Sequence, residues 1–237
     1  MDRLFLFKQN EFNAFTGQHY CPILIIFLIG VASILYAKKK LDEDKRWCFL
    51  IYLSIIPALG YYLTMPMIMI ETGFSIKEDL PLHLCRVMAI FAPYLIWKRN
   101  RFWLGIFYFW ILAGTLNANI TPDIDYGFPH WSYFAYWIMH SFLIIIPIYY
   151  VLLLGIKIKL KDLNNAFWTA NGFVVFSVVT NYLLNSNYMY TLQKPPVSSL
   201  LDYMGPWPLY LISGQAVALV LFIILYIPFA AVSYFKK

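Results

Sequence analysis

A cysteine, an arginine and three histidines, set within or beside apolar stretches, are the residues best able to do chemistry. Cys85 follows Leu80-Pro81-Leu82-His83-Leu84 and precedes Arg86. Downstream come His130 and His140. A thiol is a poor nucleophile until a base or a nearby cation favours the thiolate. An imidazole can take that proton and later return it to a leaving group. Cys85 is therefore a candidate nucleophile, and His140 or His130 its candidate base. Arg86 could favour the thiolate or hold a lipid phosphate. His83, His130, Asn117, Asn181 and Asn187 are candidates for binding substrate or donating to a developing oxyanion. Ionisable groups inside apolar segments are costly, which marks them as functional candidates.

Structural roles compete with each of these. A lone cysteine in a membrane helix can simply pack. Histidines can join helices by hydrogen bonds, the role expected for His19. Arg86 could snorkel to the interface. His83 and Cys85 are two residues apart, so a regular helix points them to opposite sides. Both can line one pocket only if the helix starts irregularly, as Pro81 allows. Asp123 and Asp125 could orient His130, but they read as solvated loop acids.

The elements that must position these groups are membrane helices. Of 237 residues, 61% are hydrophobic and only 13% charged, against about 25% charged in soluble domains. Apolar runs occupy 20–37, 47–70, 80–97, 102–120, 130–154, 166–184 and 207–235. At 1.5 Å per residue each approaches the ~30 Å of a bilayer core. Pro57, Pro66, Pro93, Pro147 and Pro228 fall inside runs, where membrane helices tolerate them as kinks.

The net charge of +6 does not point to nucleic acid, because its placement follows membrane topology. Thirteen basic residues lie in 38–46, 98–101, 155–165 and the C-terminus, against Arg3, Lys8, Lys77 and Lys194 on the other side. The positive-inside rule then gives one all-α polytopic membrane domain over 1–237. It has seven transmembrane helices, the N-terminus outside and the C-terminus cytoplasmic. Residues 1–18 lack a signal-peptide core and read as an interfacial segment. Trp131, Tyr133, Trp137, Trp207 and Tyr210 mark the outer interface. No internal repeat is visible. The longest connection, 185–206, lies outside, and loops of that length are often functional.

All four histidines fall on the outer half. His140 lies ten residues beyond His130, about 15 Å deeper, and Cys85 about 7 Å into its run. The depth of Cys85 is thus between those of the two histidines. Three cysteines, Cys21, Cys48 and Cys85, exclude complete internal pairing. A Cys21–Cys85 disulfide stays open, as does a metal site from His19, Cys21, His83, Cys85 and His130. The favoured reading requires neither metal nor cofactor.

Three separated blocks carry a family likeness. They are Leu80-Pro81-Leu82-His83-Leu84-Cys85, then Phe128-Pro129-His130-Trp131 with His140, then Asn187-Tyr188-Met189 through Lys194-Pro195 to Gly205-Pro206-Trp207-Pro208. From about residue 20 to 215 the chain resembles the YwaF-like bacterial integral membrane proteins. That family is similar to a vertebrate transmembrane cysteine acyltransferase of ether phospholipids, and more distantly to membrane lipid hydrolases that use threonine and histidine. The resemblance implies a multi-pass cell-membrane protein whose partners are lipids. It implies acyl transfer or hydrolysis at (phospho)lipid esters near the outer leaflet, with Cys85 as nucleophile and His140 as base. The alternative is a transporter or receptor-like protein that binds a small ligand in an outward polar pocket.

Overall fold

The computed structural model describes residues 5–196 and 199–234. Arg3 and the C-terminal residues 235–237, counted above, lie outside the described residues. Seven principal helices appear among the described residues. They are α1 (Gly17–Lys40), α2 (Glu43–Glu71), α3 (Leu84–Trp97), α4 (Arg101–Ile120), α5 (Trp131–Leu153), α6 (Leu160–Leu184) and α7 (Leu209–Tyr234). Six are long and apolar enough to cross a membrane; α3, with 14 residues, is the exception. At 1.5 Å per residue α3 covers about 21 Å, short of a bilayer core. The run 80–97 overstates this helix because 78–83 is irregular, with Pro81 within it.

Local chemistry sets the helix starts. The Asp42 side chain accepts from Lys45 N at 2.9 Å and Asn100 from Trp103 N at 3.2 Å, each satisfying an orphan donor. The Lys45 ammonium, hydrogen-bonded to Asp42, holds its carboxyl below the usual carboxylate range. The α6 helix begins six residues before the apolar run at 166. Its first turn carries Asp162, which is buried and paired with Arg101 Nη2 at 2.6 Å.

Helix α5 is central. Helices α1, α2 and α3 pack against it, α4 joins it to α6, and α6 supports α7. Buried apolar residues from α2 to α5 form the main core, including Leu50, Met88, Phe109 and Leu143. The outer helices turn large apolar side chains outward, such as Leu24 and Phe27 on α1 and Ile212 and Ile224 on α7. Water would penalise apolar surface of this extent, whereas lipid tails accept it. The chain is a multi-pass membrane protein.

The basic connections gather at one end. Arg46 donates to Ala37 O at 3.2 Å, Lys38 O at 3.1 Å and Leu153 O at 3.5 Å. Arg99 meets Asp44 at 3.2 Å, and Arg101 reaches Lys157 O at 2.6 Å. At the opposite end the N-terminal segment lies against the loop before α5. Gly127 N donates to Asn10 O at 2.7 Å and Asn10 Nδ2 to Phe128 O at 2.8 Å. Phe7 is buried while Phe5 and Leu6 stay exposed, as suits a segment at an interface.

Candidate functional site

The candidate residues sit where helices are irregular. Helix α3 starts at Leu84, so His83 is its cap, with extended φ −74° and ψ 137°. The two-residue spacing therefore does not separate His83 from Cys85, and both line one cavity. The irregular approach to α3 is held by hydrogen bonds. Leu80 N donates to Tyr188 Oη at 3.1 Å, and Tyr188 Oη donates to Ile76 O at 2.7 Å. Arg86 Nη1 donates to Glu78 O at 2.9 Å and Leu80 O at 3.4 Å.

A second irregularity faces Cys85. Helix α4 contains a π-helical turn, Ile111–Thr115, a distortion often found at functional sites. Thr115 Oγ1 stands 3.9 Å from Cys85 Sγ. Just beyond it, buried Asn119 joins three helices. Its Nδ2 donates to Thr115 O at 2.9 Å, and its Oδ1 accepts from Ser141 Oγ at 2.7 Å. Its carbonyl accepts from His19 Nε2 at 2.8 Å. Phe15 N donates to the other His19 nitrogen at 3.0 Å, so His19 is a helix-joining residue.

His140, next to Ser141 on α5, has a defined tautomer. Its Nδ1 is 2.9 Å from Tyr136 O. A carbonyl only accepts, so Nδ1 carries the proton and Nε2 of the neutral ring keeps its lone pair. The Tyr136 ring lies against the imidazole at 4.1 Å between centroids. Tyr136 Oη donates to Ala118 O at 2.7 Å, anchoring that ring. Cys85 and His140 make no hydrogen bond to each other among the described residues; the sulfur's polar neighbour is Thr115.

His130 caps α5. Its Nδ1 accepts from Ser132 N at 3.2 Å, which leaves Nε2 to donate to Glu71 Oε1 at 3.2 Å. Glu71 also accepts from Trp131 Nε1 at 2.7 Å and Gln9 Nε2 at 3.1 Å. The carboxylate that orients His130 is thus Glu71, not a loop aspartate. Asp123 corrects the solvated-acid expectation too, because it accepts a hydrogen bond from Tyr190 Oη. Burial, and that bond to Asp123, raise the Tyr190 hydroxyl pKa above its ordinary value.

The three amides differ in availability. Asn181, fully buried, gives Nδ2 to Tyr188 O and Thr191 Oγ1, both at 2.8 Å. Its Oδ1 accepts from Tyr188 N and Ser186 Oγ, both at 2.8 Å. Asn187 Oδ1 accepts from Leu192 N and Gln193 N, both at 3.1 Å. Both amides shape the 185–193 loop. Asn117 Nδ2 bonds Ala113 O at 2.8 Å, one turn back, and Asn117 lines the cavity.

That cavity has a volume of about 1360 Å³, beyond the ~300–1,000 Å³ of drug-sized pockets. Its polar lining residues include Glu71, His83, Cys85, Arg86, Asn117, Asp123, His130 and His140. Its apolar lining includes Ala113, Gly114, Ala170, Phe173, Ala218 and Phe222 from α4, α6 and α7. Phe222 lies thirteen residues into α7, about 20 Å from its N-terminal end. Met189, Tyr190 and Met204 of the 185–206 connection also border the space.

All three cysteines are free thiols, so Cys21 and Cys85 are not bridged. Among the described residues no three histidines, cysteines or carboxylates gather to hold a metal. Sequence reasoning missed Thr115 and Glu71. Thr115 lies in an apolar run and Glu71 ends one, so only tertiary contacts distinguish them.

A family model described as the TMEM164 family matches residues 14–226, which takes in α1 to α6 and most of α7. No curated protein and no solved structure matches the chain.

Proposed function

Since the chain belongs to the TMEM164 family, we propose that it is a membrane-embedded acyltransferase or hydrolase of (phospho)lipid acyl esters, with Cys85 as nucleophile and His140 as base. One observation carries the reading: a thiol and an imidazole with an unprotonated Nε2 line the same large, mainly apolar cavity that also carries polar groups. The sequence resemblance to YwaF-like proteins, and through them to a cysteine acyltransferase, points the same way. A lipid would lay a tail along the α4–α6–α7 lining and present its ester to the polar residues.

In the proposed first step the Cys85 S–H proton passes to His140 Nε2, through a cavity water or a rotation on substrate binding. Catalytic hydrogen bonds are often long before substrate arrives. The sulfur attacks the ester carbonyl, a C–S bond forms, and the C–O bond to the glycerol oxygen breaks. The imidazolium returns its proton to that oxygen. An alcohol or water, deprotonated by His140, then attacks the thioester and releases Cys85 as the thiol. The Nδ1–H bond to Tyr136 O steadies the imidazolium that forms between steps. Asn117 and His83 border the space where the oxyanion develops, and Arg86 offers N–H groups beyond the Nη1 that it spends on the α3 approach.

The proposed arrangement in the cell membrane is seven crossings with the N-terminus outside. Seven helices run between a basic end and a polar end, and α3 crosses with the help of its irregular approach. In intact cells a membrane-impermeant thiol reagent should label a cysteine placed at Lys77 and spare one placed at Lys39. The reverse pattern sinks this topology.

Purified protein with labelled phospholipids tests the chemistry. Wild type should form a Cys85 thioester and move acyl groups, and Cys85→Ala and His140→Ala should each lose both. Turnover unchanged in both variants removes the reading. The rival reading, a small-ligand transporter or receptor, rests on the same cavity. Ligand-dependent stabilisation or solute uptake that survives Cys85→Ser, with no thioester, would favour it.

A further inference from the structure

We propose that Gln215 is a recognition residue for a hydroxyl group on the lipid that occupies the cavity. Gln215 lies on α7, in a helix whose other cavity-lining residues are Gly214, Val217, Ala218, Leu221 and Phe222. Its Oε1 is buried and has no hydrogen-bond partner among the described residues. A buried polar atom without a partner is rare in folded proteins and calls for a reason. The same side chain borders a small side pocket of about 120 Å³, formed with Tyr190, Thr191 and Tyr210. Gln215 therefore borders both that pocket and the main cavity.

Depth relates Gln215 to the reactive group. Gln215 is six residues into α7, about 9 Å from its outer end, and Thr115 is five residues from the end of α4, about 8 Å. Thr115 faces Cys85, and α7 packs directly on the π-helical turn that carries Thr115. Counted along their helices, Gln215 and Thr115 thus lie at similar depths. A tail moving from bilayer into cavity exchanges one apolar surrounding for another and gains little. Selection among lipids then falls to polar groups at this level. Oε1 as it stands is closed off, so a hydroxyl is met when the carboxamide rotates into the cavity, where the hydroxyl can accept from Nε2 and donate to Oε1.

This inference rests on the lipid reading but not on turnover, so the test uses Cys85→Ala protein in nanodiscs. Binding of 1-acyl lysophosphatidylcholine is compared with that of its 2-deoxy analogue by thermal shift and tryptophan quenching. Cys85→Ala should prefer the hydroxyl compound by about 10-fold, the worth of one sheltered hydrogen bond. Adding Gln215→Leu should erase the preference while leaving the analogue's affinity and the unliganded melting temperature unchanged or raised. Equal preference with and without Gln215 overturns the proposal, as does no preference in the first protein. A preference that depends on Gln215 without any Cys85 thioester in the parent protein would keep the binding site and discard the acyl-transfer chemistry.

Discussion

Replacing Asn181 by leucine tests whether that amide is a loop anchor or a group that serves the reaction. Leucine shares the branched skeleton of asparagine but is bulkier, so the change removes hydrogen bonds, leaves no void and adds crowding at a fully buried site. Four contacts of 2.8 Å are lost, two through Nδ2 and two through Oδ1. Their costs differ. Tyr188 O keeps Ser177 Oγ at 2.8 Å, and Thr191 keeps a longer contact to Ser177 at 3.5 Å. Ser186 is half-buried and can turn to water. Tyr188 N, on a residue 1% exposed, has no other acceptor among the described residues. An orphaned buried donor costs about 1–3 kcal/mol, and the lost neutral bonds add about 1 kcal/mol between them. The expected loss from hydrogen bonding is therefore about 2–4 kcal/mol, concentrated in the 186–191 turn, and crowding by leucine adds to it. Chemical denaturation in micelles should register it, and hydrogen exchange should rise first at Tyr188 and Met189. If Asn181→Leu keeps full stability and full protection of that turn while acyl transfer disappears, the anchor argument is wrong and the amide acts in the reaction.

Other perturbations follow the same geometry. At Gly114 an added Cβ would meet no atom within 4 Å, so Gly114→Phe should fold normally, fill the cavity and abolish lipid turnover; retained turnover would place the substrate elsewhere. Asp162→Ala breaks a two-bond pair with Arg101 and uncaps Lys159 N. Its cost should be about 2 kcal/mol, below that of a fully buried pair because the Arg101 side chain is 39% exposed, and a melting temperature equal to wild type would refute it. Thr115→Val keeps shape and removes the hydroxyl beside Cys85. Alkylation of Cys85 by a neutral reagent, followed by mass spectrometry, should slow by about 5-fold, as one weak hydrogen bond to the thiolate is worth. Thr115→Ser should restore the rate, and an unchanged rate in the valine variant would separate the two side chains.

The division of the sequence into helices was open to reading because lipid enforces it. A spanning segment must satisfy its own backbone and face tails with apolar residues, so apolar runs and helices nearly coincide. The run 130–154 becomes Trp131–Leu153, and 102–120 becomes Arg101–Ile120. Where polar groups find partners across helices, the rule loosens. Helix α6 extends back to Leu160 because Asp162 meets Arg101, a contact that hydropathy does not contain. Charge placement was equally legible. Arg46, Arg99 and Arg101 bind carbonyls and carboxylates of neighbouring connections and helix ends, the partners lying up to 107 positions away.

The candidate site was legible only as an inventory, and the reason is physical. Cys85, His140 and His130 stand out by residue type, but their neighbours are set by departures from regular helix. His83 turns into the cavity because α3 begins after it. Thr115 meets Cys85 at a π-helical turn. Such departures cost backbone hydrogen bonds and persist where other groups replace them. Here Tyr188 replaces them before α3, and Asn119, fastened by His19 and Ser141, braces the end of α4. None of these partners lies near its target in sequence except Asn119, so periodicity has no access to them. The same logic explains why Asp123 looked like a solvated acid and Glu71 like the end of a span. What decides their roles is Tyr190 in one case and His130 with Trp131 in the other. A site built at the interruptions of several helices has a consequence that can be checked. Substitutions at the braces, such as Asn119→Ala, should alter the reactivity of Cys85 without touching it, whereas equally buried substitutions in the regular part of α4, such as Ile106→Val, should change stability alone.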